Sequence, residues 1–471
     1  MTACKNEAPG TSSAQDDYSD LRSELPNSCT TTDEEILNSY ERDQASWANS
    51  GRPAALVRPT TVAEIQQAVQ VCYERSIPVV TRGAGTGLAG GANALDGCVI
   101  ISTERMNRIV EINPLERLAV VEPGVVNNDL THACAAEGLW YPPDPASAEW
   151  STIGGNVATN AGGLCCVKYG VTRDYVLSLQ VVTGTGDLVT LGRRTAKGVA
   201  GYDLVGLMTG SEGTLGVITE VTLRLRPQQQ PQTTVVGYFS SMVDAANAVR
   251  AIAESGITPS ALELMDQNCL KAIDRWRSMG LSDEAHTILL ARTDAEGAAA
   301  DAEAGEILSC FRTNGSTWAA QSTDQGEADA LFSARRLAYP AVERLGNVLT
   351  EDVCVPKSQL PRMLDAVESI AAANDTLIAT IAHAGDGNLH PLIVTTPGDT
   401  GQETRARRAF DQIMAVAIRL GGTITGEHGV GTLKAPGLEH ELSTAVMAMH
   451  KKIKQALDPR SIMNPGKVLT P

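Results

Sequence analysis

The sequence predicts an α+β fold in two or three domains, on three grounds. A chain of 471 residues exceeds what one ordinary hydrophobic core organises. From Ala54 onward, short apolar strand patterns alternate with segments of helical spacing. Three glycine-rich stretches lie between residues 83 and 216, and a polar linker, Gln228-Gln-Gln-Pro231-Gln232, follows them.

Taken in order, residues 1–32 are rich in Ser, Thr, Asp and Asn, and read as a disordered arm. A helix is expected over residues 34–40 and an extended segment over 54–58. Thr61 precedes an amphipathic helix over residues 62–74. Residues 78–81 and 98–102 read as strands, and residues 222–226 alternate as a strand that stops at Pro227. Beyond the linker, strands at Thr233–Phe239 and residues 287–291 alternate with helices at residues 243–255 and 301–311. Helices at Leu360–Asn374 and residues 405–420 flank a hairpin, Asp458-Pro459 ends the last long helix, and Asn464-Pro-Gly-Lys467 closes the chain.

Composition narrows the function. Hydrophobic residues at 43% and charged residues at 20% describe a globular protein. Lys plus Arg number 38 against 55 Asp plus Glu, a net charge of −17. Non-specific nucleic-acid binding needs a basic face, so that class is disfavoured. No run reaches the roughly 18–20 apolar residues of a membrane span. The opening MTACKNEAPG lacks the layout of a secretory signal. A cytoplasmic location, free or peripheral to a membrane, is the expectation. Ten cysteines without a Cys-x-x-Cys spacing exclude zinc-ribbon and ferredoxin patterns and read as buried, reduced thiols. Cys165-Cys166 lies in a glycine-rich segment, where packing is the simpler role.

Gly85-Thr-Gly87-Leu-Ala-Gly90 matches the dinucleotide fingerprint G-x-G-x-x-G. That fingerprint requires a strand, the loop and then a helix. Between Gly91 and Val99 only seven residues remain, Asn93, Asp96 and Gly97 among them, and no crossover helix fits. The loop therefore joins two strands. Its bare amides still suit a phosphate, because a nest of N–H groups needs no helix. The other stretches are Ser151–Gly163 and Gly201–Thr219, each with small residues where a flat ligand can lie against the backbone. One such stretch is explained by tight turns. Three favour a large diphosphate cofactor.

The second signal is His383-Ala-Gly-Asp-Gly-Asn-Leu-His390 with Gly426-Glu427-His428-Gly429 downstream, which together hold three of the chain's seven histidines. On one straight strand His383 and His390 would point to opposite faces. A turn at residues 385–388 folds the strand back and brings the imidazoles together, close enough to share a divalent ion. Glu427 would supply a third ligand, with a fourth position open for substrate. Neighbouring residues of an extended segment point opposite ways. One of Glu427 and His428 therefore binds the ion, and the other faces something else.

Taken together, Val57-Arg58-Pro59-Thr60, Arg82-Gly-Ala-Gly-Thr-Gly, Val121-Glu-Pro-Gly124, Pro142-Pro-Asp-Pro145, residues 153–163 and Thr209-Gly-Ser-Glu-Gly-Thr-Leu-Gly216 resemble the vanillyl-alcohol-oxidase-type (PCMH-type) flavoprotein family. The second half resembles the branch with the FAD-linked oxidase C-terminal domain, which holds D-lactate dehydrogenases, D-2-hydroxyglutarate dehydrogenases and the glycolate oxidase flavin subunit. The resemblance spans residues 35–471. It implies a two-subdomain PCMH-type FAD-binding domain over residues 33–227. An α+β cap follows over residues 228–425, and residues 426–471 return to the FAD domain.

By motif match it implies FAD contacts at Arg82, Gly83, Ala84, Gly85, Thr86, Gly87, Pro143, Ile153, Gly154, Gly155, Asn156, Thr159, Asn160, Ala161, Glu212, Gly213, Val217, Ile218 and Asn464. Residues 83–87 would hold the pyrophosphate. Covalent relatives often carry a histidine in the phosphate loop. None occurs between Gly51 and Leu130, so non-covalent FAD is expected.

The same resemblance makes His383, His390 and Glu427 ligands of a divalent metal (Zn2+ or Mn2+), His428 the catalytic base and Arg335 the substrate arginine. It implies oxidation of a small 2-hydroxy acid, glycolate or D-lactate, to the 2-oxo acid by hydride transfer to FAD. Tyr339-Pro-Ala-Val342 and Pro391 look like the glycolate oxidase subunit, and Asp352-Val-Cys-Val-Pro356 looks like D-lactate dehydrogenases. Hydroxyglutarate enzymes carry a lysine where this chain has Thr350. That substrate stays an alternative, as does a metal-free FAD oxidase acting on another alcohol. The electron acceptor stays open among a quinone, an electron-transfer protein, an Fe–S subunit and oxygen. A homodimer is one candidate assembly.

Overall fold

Thr61 starts its helix through reciprocal caps. Its hydroxyl accepts from the Glu64 amide at 3.4 Å, and the Glu64 carboxylate accepts from the Thr61 amide at 3.0 Å. The helix runs Val62–Arg75 and stops at Ser76, where the backbone turns left-handed at φ 56°. Its face of Ile65, Ala68, Val69 and Cys72 is buried with Val79, Val99 and Ile101 of a four-stranded sheet. Truncating Ile65 to Ala would destabilise this layer by about 2–5 kcal/mol.

The computed structural model describes residues 29–322 and 325–469. In the four-stranded sheet the order is Thr30–Thr31, Ala55–Val57, Val99–Ser102, Val79–Arg82. The last two strands are parallel, and residues 83–98 join them with no helix between. The phosphate-loop sequence is therefore a strand-to-strand connection, as its length required. The expected arm over residues 1–32 falls outside the described residues as far as residue 28. Residues 29–32 correct it: Thr30–Thr31 is an antiparallel edge on Ala55–Val57, and Cys29 is buried beneath it.

A second sheet of five strands is antiparallel throughout, in the order Ile109–Asn113, Leu118–Val121, Gly216–Arg224, Val176–Thr183, Leu188–Gly192. The strand expected over residues 222–226 begins earlier, at Gly216, inside the third glycine-rich stretch. Gly216 packs so tightly on Val181 and Val182 that a glycine signal there marks strand pairing, not a loop. Residues of the second stretch also differ from a run of turns. Ile153–Thr159 is a short helix, capped by the Thr152 hydroxyl accepting from the Gly155 amide at 3.4 Å.

Beyond the linker a third sheet runs Ser316–Gln321, Thr233–Phe239, Thr287–Thr293, Ala261–Asp266, Leu377–His383, Asn388–Thr395, Asn347–Thr350, with Val353–Cys354 pairing the start of Asn388–Thr395. Strand alternation sends Leu262, Leu264, Leu289 and Ala382 to one face, under helices Met242–Glu254, Ala298–Thr313 and Leu360–Asn374. Met265, Ile288, Leu290, Ile381 and Leu392 go to the other, under helices Gln267–Arg277 and Gln325–Glu343.

The C-terminal residues leave this domain. Helix Thr444–Leu457 is followed by Met463, which bridges in parallel to Val79 of the first sheet. The nine described cysteines are unpaired, and six of them are buried. No described helix is long and apolar enough to cross a membrane.

Candidate active site

The second face of the third sheet carries polar residues at one end. Glu263 lies directly opposite His383 across paired strands, and His390 lies opposite Ile381. All three alternate onto the same face as Met265, Ile381 and Leu392. The turn between the histidines spans residues 384–387, and His383 pairs with Asn388. His383 and His390 are therefore diagonal neighbours across the hairpin. Their ring centroids are 5.1 Å apart, still within reach of one ion.

Glu427 completes the cluster from a separate loop. Its Oε1 lies 3.3 Å from His383 Nε2 and 3.3 Å from His390 Nε2. Donors of a tetrahedral site at 2.0–2.1 Å from zinc stand about 3.3–3.4 Å from one another. Among the described residues Glu427 has no Lys or Arg partner, and two imidazole nitrogens converge on its carboxylate. His2Glu donors on a carboxylate with no Lys or Arg partner fit a divalent cation.

Each imidazole is backed by a carboxylate from outside the two histidine-bearing motifs. His383 Nδ1 lies 2.8 Å from Glu263 Oε1, while Glu263 Oε2 pairs with Arg335 at 2.8 Å. His390 Nδ1 faces Asp352 Oδ1 at 3.6 Å, and both atoms are buried without a hydrogen-bond partner. Such carboxylates fix ring orientation and raise imidazole basicity in metal sites. Burial alone would lower the pKa of His383, but the charges of Glu263 and Glu427 raise it well above the usual value.

The loop carrying Glu427 and His428 is held by the other oxygen of Asp352. That oxygen accepts from the Thr425 hydroxyl at 2.7 Å and from the amides of Gly426, Glu427 and His428 at 3.0, 3.0 and 2.8 Å. Lys434, buried, locks the same junction by donating to Glu351, the Asp352 carbonyl and the Ile424 carbonyl. Burial pushes the Glu351 carboxyl up to about 7. Burial would also raise Asp352, but the neighbouring His428 imidazole and Lys434 ammonium outweigh it and hold its carboxyl well below the usual range. His428 stacks on His390 with centroids 4.8 Å apart, and burial pulls its pKa down to about 4.

Glu427 and His428 line one cavity together with the glycine stretches. Of the residues named above as cofactor contacts, Arg82, Gly83, Ala84, Gly85, Thr86, Gly87, Gly154, Gly155, Asn156, Thr159, Ala161, Glu212, Gly213, Val217 and Ile218 are on its wall. The amides of Ala84 to Leu88 donate to no backbone carbonyl among the described residues, as an anion-binding nest requires. At Gly83 and Gly162 a side chain would displace its neighbours: a Cβ would come within 2.4 Å of Thr152 Oγ1 and 2.2 Å of Glu427 Oε2 respectively. Bare backbone and free amides fit a long, flat diphosphate.

Four residues named as contacts lie behind that wall. Ile153 is a core residue at 0% exposure. Asn160 ends its helix in a left-handed turn and accepts from the Arg173 amide at 2.9 Å. Pro143 is buried, with its carbonyl taken by Asn127 at 3.1 Å. Asn464 joins loops by donating to the carbonyls of Gly91 and Glu212 at 3.0 and 2.6 Å. His383, His390 and Arg335 are not among the residues lining this cavity, and His383 and His390 reach it through Glu427. Glu263 carried one sequence signal, an acidic residue inside the apolar run Ala261-Leu-Glu-Leu-Met265, and Asp352 opens the Asp352–Pro356 stretch noted above.

Comparisons agree with this architecture. Residues 53–192 match the FAD binding domain model, and residues 228–468 match the model for the C-terminal domain of FAD linked oxidases. Glycolate oxidase subunit GlcD of Bacillus subtilis is 41% identical, over 88% of this chain and 89% of that protein. GlcD of Escherichia coli K12 is 37% identical, over 93% and 87%. A D-lactate dehydrogenase of Archaeoglobus fulgidus is 35% identical, over 88% and 91%. Among solved structures, 4-ethylphenol oxidase from Gulosibacter chungangensis superposes with a TM-score of 0.81 at 17% identity, covering 97% of each chain. p-Cresol methylhydroxylase gives 0.80 at 17%, also over 97% of each. At that identity they speak for the fold alone. With a cavity walled by bare backbone and relatives matched along nearly their whole length, the chain belongs to the FAD-linked oxidases, flavoprotein oxidoreductases of PCMH-type fold.

Proposed function

We propose that the protein oxidises a small 2-hydroxy acid, glycolate or D-lactate, to its 2-oxo acid. His383, His390 and Glu427 hold a divalent ion, and FAD is bound non-covalently in the glycine-walled cavity. The proposal adopts the division into residues 33–227, 228–425 and 426–471. When bound, the ion acidifies a coordinated hydroxyl and the flavin accepts hydride.

The chain's own groups do the rest. Glu263 orients His383 through Nδ1, and so turns Nε2 toward Glu427. His428, neutral at pH 7, takes the hydroxyl proton at Nε2, which lies 3.9 Å from Glu427 Oε1. Arg335 keeps a buried Nε–H without a partner, and a substrate carboxylate is the acceptor assigned to it. Thr350, buried and donating to the Tyr339 hydroxyl at 3.4 Å, brings no charge for a second carboxylate.

The observation that carries this reading is the convergence of two imidazoles on one carboxylate oxygen, beside a histidine on the cofactor cavity. Relatives named glycolate oxidase subunit and D-lactate dehydrogenase support the substrate class. The test is dialysis against a chelator, followed by assay on glycolate, D-lactate and D-2-hydroxyglutarate with a dye acceptor. Activity on the first two that disappears with the ion and returns with Mn2+ or Zn2+ is expected. Full activity after chelation would sink the ion's role, and a preference for hydroxyglutarate would move the substrate.

A further inference from the structure

We infer that residues 425–433 couple the cofactor cavity to the ion-ligand cluster, with Glu212 as the positioning residue between them. The inference rests on the FAD and ion reading above. The loop is hung from two carboxylates, one in each half of the protein. Asp352 of the third sheet takes the amides of residues 426–428. Glu212 of the cofactor wall takes the amides of Val430 at 2.7 Å and Gly431 at 2.8 Å. The amides of Thr432 and Leu433 then go to the carbonyl of Ala89, in the phosphate loop, at 3.0 and 3.1 Å.

Glu212 is itself fixed by the cofactor wall. Its amide donates to Ala158 at 2.8 Å, its carbonyl accepts from Asn464 at 2.6 Å, and its backbone sits left-handed at φ 50°. A Cβ on Gly91 would stand 3.0 Å from its carboxylate, so side chain and phosphate loop are in contact. Both oxygens are used on the loop, which makes Glu212, itself on the cavity wall, a link to His428 and Glu427. A ligand that firms the walls around Ala158, Glu212 and Ala89 therefore firms the backbone that presents Glu427. Coupling of this kind is reciprocal, so the ion tightens FAD by the same factor.

The test uses the full-length holoenzyme after dialysis against chelator. Mn2+ binding is followed by electron paramagnetic resonance, and FAD affinity by flavin fluorescence with and without Mn2+. In the wild type, Mn2+ should tighten FAD by about tenfold, within the usual span of coupling between sites. In Glu212→Gln the amide offers one acceptor, and the factor should fall toward one while FAD still binds. A merely structural Glu212 would weaken FAD equally with and without Mn2+ and leave the factor unchanged, which overturns the inference.

Mn2+ that binds the wild type without changing FAD affinity also overturns it, whatever the variants do. Failure of Mn2+ to bind at all overturns the ion reading beneath it, a separate result. If Glu212→Gln does not fold, Glu212→Asp keeps the charge but shortens its reach, and should lower the factor. An unchanged factor in that variant again counts against the inference.

Discussion

The two sides of the active cavity are built by opposite means. The cofactor wall is made of backbone and of missing side chains: free amides at residues 84–88, and glycines at 83 and 162 where a Cβ would crowd Thr152 and Glu427. The ion-ligand side is made of side chains from four separate segments, each turned by a buried carboxylate partner. The first kind of surface tolerates almost no addition. The second tolerates almost no loss, because removing one partner of a buried charged pair leaves the other uncompensated.

Substitutions should separate these two constructions. The largest effect belongs to His428→Ala, with kcat lowered by about 10²–10⁴-fold, the span of general-base catalysis, and the flavin absorbance retained. A loss under tenfold would place the base elsewhere. Next comes Glu263→Gln, which frees the His383 ring and leaves Arg335 beside a neutral group. Ion affinity measured by titration should fall about 10–100-fold, the span for carboxylates that orient metal-ligating histidines, while FAD affinity measured without the ion stays unchanged. Weaker FAD binding in the absence of the ion would instead merge the two regions.

Gly83→Ala probes the other wall. Its new methyl meets the Thr152 hydroxyl that caps helix Ile153–Thr159, a crowding of about 1–3 kcal/mol. Flavin content after purification should drop while Mn2+ binding persists. The smallest effect is in the pH dependence of unfolding.

Burial pushes the Glu212 carboxyl up to about 7 against its two amide donors, whereas an unfolded glutamate titrates near ~4.3. The folded state holds the extra proton between those values. Its contribution is therefore present at low pH and lost as pH rises toward 7. Urea melts of wild type minus Glu212→Gln should show the difference shrinking over that window. A difference independent of pH would mean that Glu212 is ionised throughout.

Legibility followed the same division. The glycine stretches could be read because a close backbone approach leaves a local mark: no other residue fits. The strand-to-strand connection at residues 83–98 was fixed by chain length alone, and helix Val62–Arg75 by its capping residues and spacing. The third stretch misled in part. Gly216 is equally explained by a strand packed hard on Val181, and a sequence does not distinguish empty space for a ligand from empty space filled by a neighbour.

Local sequence thus determined the glycine cavity, the hairpin, and the presence of His383, His390, Glu427 and His428 as a chemically unusual set. Only the tertiary structure decided that Glu263 and Asp352 stand behind His383 and His390, and that Arg335 shares Glu263 with His383. It also decided that Glu212 faces the loop of residues 430–431. The reason is separation along the chain. A hydrogen bond between residues 120 or 218 positions apart leaves no spacing to read, because sheet register and domain packing, not neighbouring residues, bring the partners together.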